Sequence, residues 1–382
     1  MTSPLARRFP GTASFPRARV ATLPTPVEPL PALARDLGAR SLWVKRDDLT
    51  SAVYGGNKVR KLEYLLGAAL VEGRRAVITF GAYGSNHCLA TAVHARALGL
   101  QPHVVLSPQA PGPFAVATLL AHAGLGTVIH PVGDWDGEAE GERVTSELTA
   151  RDGVSPCVIP MGGSSPLGAV GYVNAAIEVA DQFRELNANV DAADLSAHAP
   201  PDVIYVAAGT LGTAVGLAVG LAAIGAHTRV VAVRVTPDGV ATEDVAEQLA
   251  DDTIALLSSL DPHFPPLTFV DLRFELRHDW FEPGYGVVTP ETEESVAIAA
   301  ASGITLETTY TGKAFAALVA DARAGRLAHC QVLFWDTYSS APMPAPGPVV
   351  ALPQVLQAYV AECDRIYPAA GTSAAQTERN AR

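Results

Sequence analysis

The chain has 382 residues and a mass of 39.8 kDa, enough for a large core in one or two domains. Hydrophobic residues make up 48% and charged residues 17%, a globular rather than a disordered balance. The formal charge of −12, from 27 basic and 39 acidic residues, argues against general nucleic-acid binding and against attraction to anionic membranes.

Residues 1 to 25 are rich in Pro, Arg and Thr with weak periodicity, and read as an arm over the surface. Thr25-Pro26-Val27-Glu28-Pro29-Leu30 leads into a short helix near Leu33 to Leu37, and Ser41 to Lys45 is a strand. After Gly55-Gly56-Asn57 a helix begins, with Leu62, Leu65, Leu66 and Ala69 on one apolar face. Ala76 to Phe80 is a strand, and a helix with Leu89, Ala92, Val93 and Ala97 in phase follows it to Gly99. Pro102 to Leu106 and Thr127 to His130 are strands. Phe114 to His122 and Glu138 to Ala150 are helices. Cys157 to Pro160 is a strand that leads through a glycine turn into a long helix ending near Glu185.

Asn187 to Pro201 is a polar, proline-ended loop. Val203 to Ala207 is a strand. Gly212 to Ala226 is apolar but short and glycine-studded, so it reads as a buried helix rather than a membrane span, which needs about 18 uncharged apolar residues. Arg229 to Val235 is a strand and Val240 to Leu260 a helix, with a loop over Asp261 to Pro266. Glu291 to Ser302 and Gly312 to Arg323 are helices, Val332 to Trp335 is a strand, and a last helix covers about Leu352 to Cys363. The tail from Pro368 is small and polar and is expected to be mobile. Strands alternate with helices throughout, so the fold class is α/β with two parallel, doubly wound sheets, and ligands belong at the carboxyl ends of the strands.

The four cysteines, Cys88, Cys157, Cys330 and Cys363, have neither metal-type spacing nor a dense disulfide pattern, which fits a reduced, cytoplasmic compartment. Arg7 and Arg8 are not followed by a long apolar run, so no secretory signal is evident. His87, His94, His103, His122 and His130 are too scattered for a metal cluster, and no metal is expected. The acids Asp47-Asp48 read as a solvated turn or as partners of Lys45 or Arg46.

Several segments carry chemistry. Asn57 is a suitable helix cap, and Lys58 stands on the first turn, where the helix dipole favours the neutral amine. A neutral amine attacks an aldehyde to form a Schiff base; the plain alternative is a solvated lysine beside Arg60 and Lys61. Gly209-Thr210-Leu211-Gly212-Thr213 joins a buried strand to a helix. Its backbone N–H groups and two hydroxyls suit a phosphate, although a tight turn alone explains the glycines. Its Gly-x-x-Gly spacing does not match the dinucleotide pattern. Ser85-Asn86 opens a helix as a capping pair or as a pair of donors. Gly162-Gly163-Ser164-Ser165-Pro166-Leu167-Gly168 is a capped turn or a substrate-side loop. Tyr285 and Tyr310 are packed amphipathic residues or proton donors with an ordinary pKa near 10.

Taken with Trp43-Val44-Lys45-Arg46-Asp47-Asp48, the run Gly55-Gly56-Asn57-Lys58-Val59-Arg60-Lys61-Leu62-Glu63 resembles the cofactor-lysine segment of the fold-type II pyridoxal-phosphate enzymes. It is most similar to the branch holding 1-aminocyclopropane-1-carboxylate deaminase and D-cysteine desulfhydrase. The Ser85-Asn86-His87, Gly162–Gly168, Gly209–Thr213, Pro283-Gly284-Tyr285-Gly286 and Tyr310-Thr311-Gly312-Lys313 segments extend the resemblance over roughly residues 20 to 345.

The resemblance implies a tryptophan synthase beta-like architecture: a small domain over residues 66–165, inserted in a large domain of residues 1–65 and 166–382, with the cofactor between them. It implies pyridoxal 5′-phosphate joined to Lys58, with Asn86 toward the ring oxygen and Gly209, Thr210, Leu211, Gly212 and Thr213 around the phosphate. Thr337 faces the ring nitrogen, and Ser85, Tyr285 and Tyr310 stand on the substrate side. The implied function is α,β-elimination from a small amino acid to a 2-keto acid and ammonia, in a homodimer. Thr311, where the deaminase branch has Glu, favours elimination over opening of a cyclopropane ring. Ring-opening deamination, β-replacement and a non-catalytic cofactor carrier are the alternatives. The chain departs from the family at Gly84, at Leu89-Ala90 and at Tyr338-Ser339. Asp336 is left as a surface residue or a supporting acid.

Overall fold

Ten strands form two separate sheets in the computed structural model, which describes residues 2–133, 137–187 and 200–368. The expected loop from Asn187 and the expected mobile tail fall largely outside the described residues. The chain divides into two units. One comprises the stretch up to Gly73 with Pro160–Pro342, and the other Arg74–Ile159 with the stretch from Met343.

The first unit holds a six-stranded sheet. Its strands are β1 (Val27–Pro29), β2 (Ser41–Arg46), β7 (Val203–Ala208), β8 (Arg229–Arg234), β9 (Phe274–Arg277) and β10 (Gln331–Asp336), in the order β1-β2-β10-β7-β8-β9. All pairs are parallel except β1 with β2, so the sheet is not purely parallel. The central strands β7 and β10 are buried along their whole length. That is the continuous apolar pattern of a sheet covered on both faces. One core cluster joins this sheet to α7 (Pro166–Asn187), α8 (Gly212–Ala223) and α9 (Glu243–Leu260). A second joins the sheet to α2 (Pro31–Leu37), α10 (Pro290–Ala301) and α11 (Thr311–Arg323).

The N-terminal arm differs from its expectation. It forms α1 (Pro4–Arg8) and a 3-10 turn over Pro10–Ser14, and Leu5 and Phe9 are buried in the first core cluster. Burying such a side chain stabilises by about 1.5–3 kcal/mol, enough to pin a short segment. The unit also contains α3 (Lys58–Val71), which begins at the lysine singled out above.

The second unit holds the parallel sheet β5-β4-β3-β6, from β3 (Ala76–Ala82), β4 (Gln101–Ser107), β5 (Val128–Pro131) and β6 (Cys157–Ile159). Its helices are α4 (Asn86–Ala97), α5 (Pro113–Leu125), α6 (Glu138–Asp152) and α12 (Gln354–Ile366). The last of these corrects the expected division of the chain. Leu356, Tyr359, Val360 and Cys363 of α12 pack with Val104, Leu106 and Leu119, so the C-terminal stretch groups with the smaller unit. The boundaries lie at Gly73/Arg74 and Ile159/Pro160 rather than at 65/66 and 165/166. No helix among the described residues is long and apolar enough to cross a membrane.

Candidate active site

Lys58 opens α3 at the end of a backbone brace. Gly55 N donates to Ser339 Oγ at 2.8 Å, Gly56 N to Asp47 O at 3.0 Å and Asn57 N to Thr337 O at 3.1 Å. Gly56 has φ +88°, and a Cβ there would lie 2.8 Å from Thr337 O, so only glycine fits. Asn57 does not cap α3 with its side chain, contrary to the sequence reading. Its amide donates to Thr213 Oγ1 at 3.0 Å, and its Oδ1 accepts from Lys58 Nζ at 2.8 Å. Burial lowers the Lys58 amine from 10.5 to about 8, and the nearby Glu307 carboxylate opposes the shift.

One helical turn along, Lys61 is fully buried. Its Nζ donates to Gly162 O at 3.0 Å and to Ser164 Oγ at 3.3 Å. Burial, then the charge of Lys58, holds this amine well below its ordinary range. Ser164 Oγ in turn shares a hydrogen bond with Thr210 Oγ1 at 2.7 Å and accepts from Gly212 N at 3.1 Å. Gly162 sits at φ +67°, and a Cβ there would fall 2.0 Å from Thr210 Oγ1.

Gly209–Thr213 therefore forms a turn between β7 and α8 that is laced to α3 and to the Gly162 turn. Leu211 holds φ +66°, and Thr236 Oγ1 secures Gly209 O at 2.8 Å. The first amides of a helix lack intrahelical partners, and the helix end favours an anion. Backbone amides, the hydroxyls of Thr210, Thr213 and Ser164, and the Lys61 amine thus surround one helix N-terminus. That donor set suits a phosphate. The sequence reading placed Lys61 only in a basic turn; its signal was its spacing, three residues from Lys58 on the same helical face.

The two tyrosines meet, although 25 residues separate them: their hydroxyl oxygens are 2.7 Å apart, with the rings nearly perpendicular. The Tyr310 ring lies against Gly209, whose ideal Cβ would stand 3.3 Å from it. Sequence reasoning missed Glu307. Its half-buried carboxylate accepts from the N–H groups of Thr309, Tyr310 and Thr311 at 2.7, 2.8 and 2.8 Å, which anchors the start of α11. Thr311 Oγ1 also bonds to Glu307, at 3.2 Å. Burial pushes the Glu307 carboxyl up, while the three amides pull it down.

Thr337 follows β10, and its side chain is largely buried. Beside it Asp336 is fully buried, which settles the choice left open by the sequence. Burial and then the nearby Asp48 carboxylate push its carboxyl well above the usual range. Asp48 is buried against Arg46 and Ser340, and Asp47 against Arg60, so neither is a solvated turn residue.

In the second unit, Ser85 caps α4, its Oγ accepting from Cys88 N at 3.2 Å, and Asn86 is the first helical residue. They occupy the carboxyl end of β3, as expected of a ligand-facing loop in a parallel sheet. Among the described residues there is no group of three metal-ligating side chains.

A sequence model of the family described as "pyridoxal-phosphate dependent enzyme" matches residues 19–336. A putative 1-aminocyclopropane-1-carboxylate deaminase of Pyrococcus furiosus is 34% identical over 329 residues, covering 85% of this chain and 92% of that protein. A D-cysteine desulfhydrase of Salmonella paratyphi B is 37% identical over 313 residues, covering 80% of this chain and 88% of that protein. Among solved structures, an ACC deaminase homologue superposes with a TM-score of 0.73 at 33% identity, covering 89% of this chain and 96% of that one.

Proposed function

The chain belongs to the family of pyridoxal-phosphate-dependent enzymes, and on that premise we propose that it is a lyase that takes a small amino acid to a 2-keto acid and ammonia by α,β-elimination, as a D-cysteine desulfhydrase does. The observation that carries this reading is the Tyr285–Tyr310 pair against the Gly209 turn, followed by Thr311 rather than a carboxylate.

When bound, pyridoxal 5′-phosphate supplies an electron sink for the α-carbon of the amino acid joined to it. The residues of this chain supply the rest. Lys58 Nζ would be the amine that holds the cofactor aldehyde and, when free, the base for the α-proton. Its lowered pKa leaves about one amine in ten neutral at pH 7, against about one in three thousand for an ordinary lysine. The amides and hydroxyls of Gly209–Thr213, with Ser164 and Lys61, would hold the phosphate. By the family resemblance, Asn86 would donate to the ring oxygen and Ser85 would orient the substrate. The Thr337 hydroxyl would face the ring nitrogen without a negative charge, which suits departure of a good leaving group. Tyr285 and Tyr310 share one proton along their hydrogen bond.

A homodimer in the cytoplasm completes the reading; the reduced cysteine usage supports the compartment. Deamination of 1-aminocyclopropane-1-carboxylate is the second reading, favoured by the similarity to the archaeal relative. The test is a panel of D- and L-cysteine, β-chloroalanine, D-serine and the cyclopropane acid, read by keto-acid release and by the cofactor's visible absorbance. Pyruvate from D-cysteine or β-chloroalanine supports elimination, and 2-oxobutanoate from the cyclopropane acid would shift the assignment to the deaminase. Lys58→Ala that still releases pyruvate would overturn both.

A further inference from the structure

The Tyr285–Tyr310 contact joins a loop to the start of a helix, so something must hold the loop. Tyr285 stands in the Phe281–Gly286 stretch, which lies between β9 and α10 and belongs to no helix or strand. Lys313 is one turn beyond Tyr310 on α11 and only 1% exposed. Its Nζ donates to Phe281 O at 2.9 Å and to Gly284 O at 3.1 Å, the two carbonyls that bracket the approach to Tyr285. The Phe281 ring is held as well. The Arg234 guanidinium lies 4.8 Å from its centroid and the Lys313 ammonium 5.8 Å.

We propose that Lys313 is the positioning residue of the tyrosine pair: by gripping the Phe281 and Gly284 carbonyls from the turn after Tyr310, it sets where the Tyr285 hydroxyl meets the Tyr310 hydroxyl. Three observations carry this. Among the described residues Lys313 forms no ion pair within salt-bridge distance, so its ammonium is committed to loop carbonyls. A buried ammonium is costly, and an apolar side chain of similar length would pack there without that penalty. Glu307 fixes the backbone of Tyr310 at the same helix start. One tyrosine is thus held by a carboxylate on amides, and the other by an ammonium on carbonyls. The catalytic part of the inference rests on the function proposed above, since it gives the pair a proton to deliver.

The experiment uses the cofactor-loaded enzyme with Lys313→Met, Lys313→Arg, Tyr285→Phe and the Lys313→Met/Tyr285→Phe double variant. Hydrogen exchange over residues 278–289 reads the loop directly. The kcat and KM for pyruvate release from β-chloroalanine read its effect on turnover. Lys313→Met is expected to speed exchange at 281–287 by about tenfold or more. It is expected to lower kcat by about 10-fold to 100-fold with a smaller change in KM. Lys313→Arg is expected to recover most of both. The double variant is expected to be no slower than Tyr285→Phe alone, because the two changes act through one contact. Unchanged exchange, or a double variant slowed by the product of the single effects, would overturn the proposal. If Lys313→Met does not fold, Lys313→Gln takes its place with the same expected signs. Full turnover in Tyr285→Phe would sink the role given to the tyrosines, while exchange would still decide whether Lys313 holds the loop.

Discussion

Asp47 takes Arg60 in a two-pronged grip, with Arg60 Nε 2.8 Å from Oδ2 and Nη2 2.8 Å from Oδ1, and both side chains are buried. The same carboxylate accepts from Thr25 Oγ1, Tyr172 OH and Trp335 Nε1, each at 2.8 Å. Arg60 is two residues beyond Lys58 on α3, so this grip seats the helix that carries the lysine. Removing one partner of a buried, hydrogen-bonded pair strands the other. Asp47→Ala is expected to cost about 3–5 kcal/mol in denaturant unfolding of the cofactor-free protein. A loss under about 1 kcal/mol would mean the cluster is more hydrated than its burial indicates.

Glu178 accepts from Lys45 Nζ at 2.7 Å and from both Arg60 Nη atoms. Burial alone would raise its carboxyl, but Arg60 and then Lys45 outweigh it and hold the group at about 2. The unfolded chain binds this proton near 4.5, so between about pH 4.5 and about pH 2 the unfolded state holds more protons. Stability from Glu178 is therefore complete above that window and declines as the pH falls through it. Thermal unfolding across this range should show a shallower acid slope in Glu178→Gln than in the parent.

Lys58 gives a kinetic prediction. Only the neutral amine attacks the aldehyde, and the lowered pKa of about 8 sets where that form becomes abundant. The association rate of added pyridoxal phosphate with the cofactor-free protein should climb about tenfold per pH unit below that value and level off above it. Glu307→Gln, which removes the charge opposing the shift, should move the bend to lower pH. A bend near 10 would show that the amine is hydrated.

Much of this architecture was legible in the chain. The alternation of β7, α8 and β8 is carried by long apolar runs, and Gly209–Thr213 falls where such runs demand a turn. The arm reads as featureless because Leu5 lies in a five-residue helix and Phe9 in the bend that follows it, segments too short to show a period, so their burial leaves no local trace. The strand β9 is four residues long, none of them fully buried, and an edge strand of that kind carries too little pattern to be found. Asn57 was given a capping role on composition, but the backbone brace to Thr337 turns its side chain toward Thr213 instead. Glu307 acts on backbone amides that every residue has, and the spacing of Lys61 from Lys58 shows its helical face but not the Gly162 turn that the fold brings to it.

The turn opposite Lys61 gives a stability prediction with an internal control. Gly162 and Gly73 both hold φ +67°, but a Cβ at Gly162 would strike Thr210 while one at Gly73 meets nothing within 4 Å. Gly73→Ala should cost only the left-handed backbone penalty of about 1–2 kcal/mol and leave cofactor affinity unchanged. Gly162→Ala should also displace Thr210 and weaken binding of pyridoxal phosphate by about tenfold or more. Equal affinities for the two variants would show that Thr210 does not hold the phosphate.

The bond from Asn57 N to Thr337 O spans 280 positions in the sequence, yet it joins loops that leave neighbouring strands, β2 and β10, paired in parallel with Arg46 opposite Asp336. Gly55 to Ser339 and Ser340 to Asp48 stitch the same two loops. Residues 47–58 and 336–340 therefore behave as a single module for recombination. A chimera that imports one from a relative and keeps the other should lose the seat of Lys58, and one that imports both together should keep it.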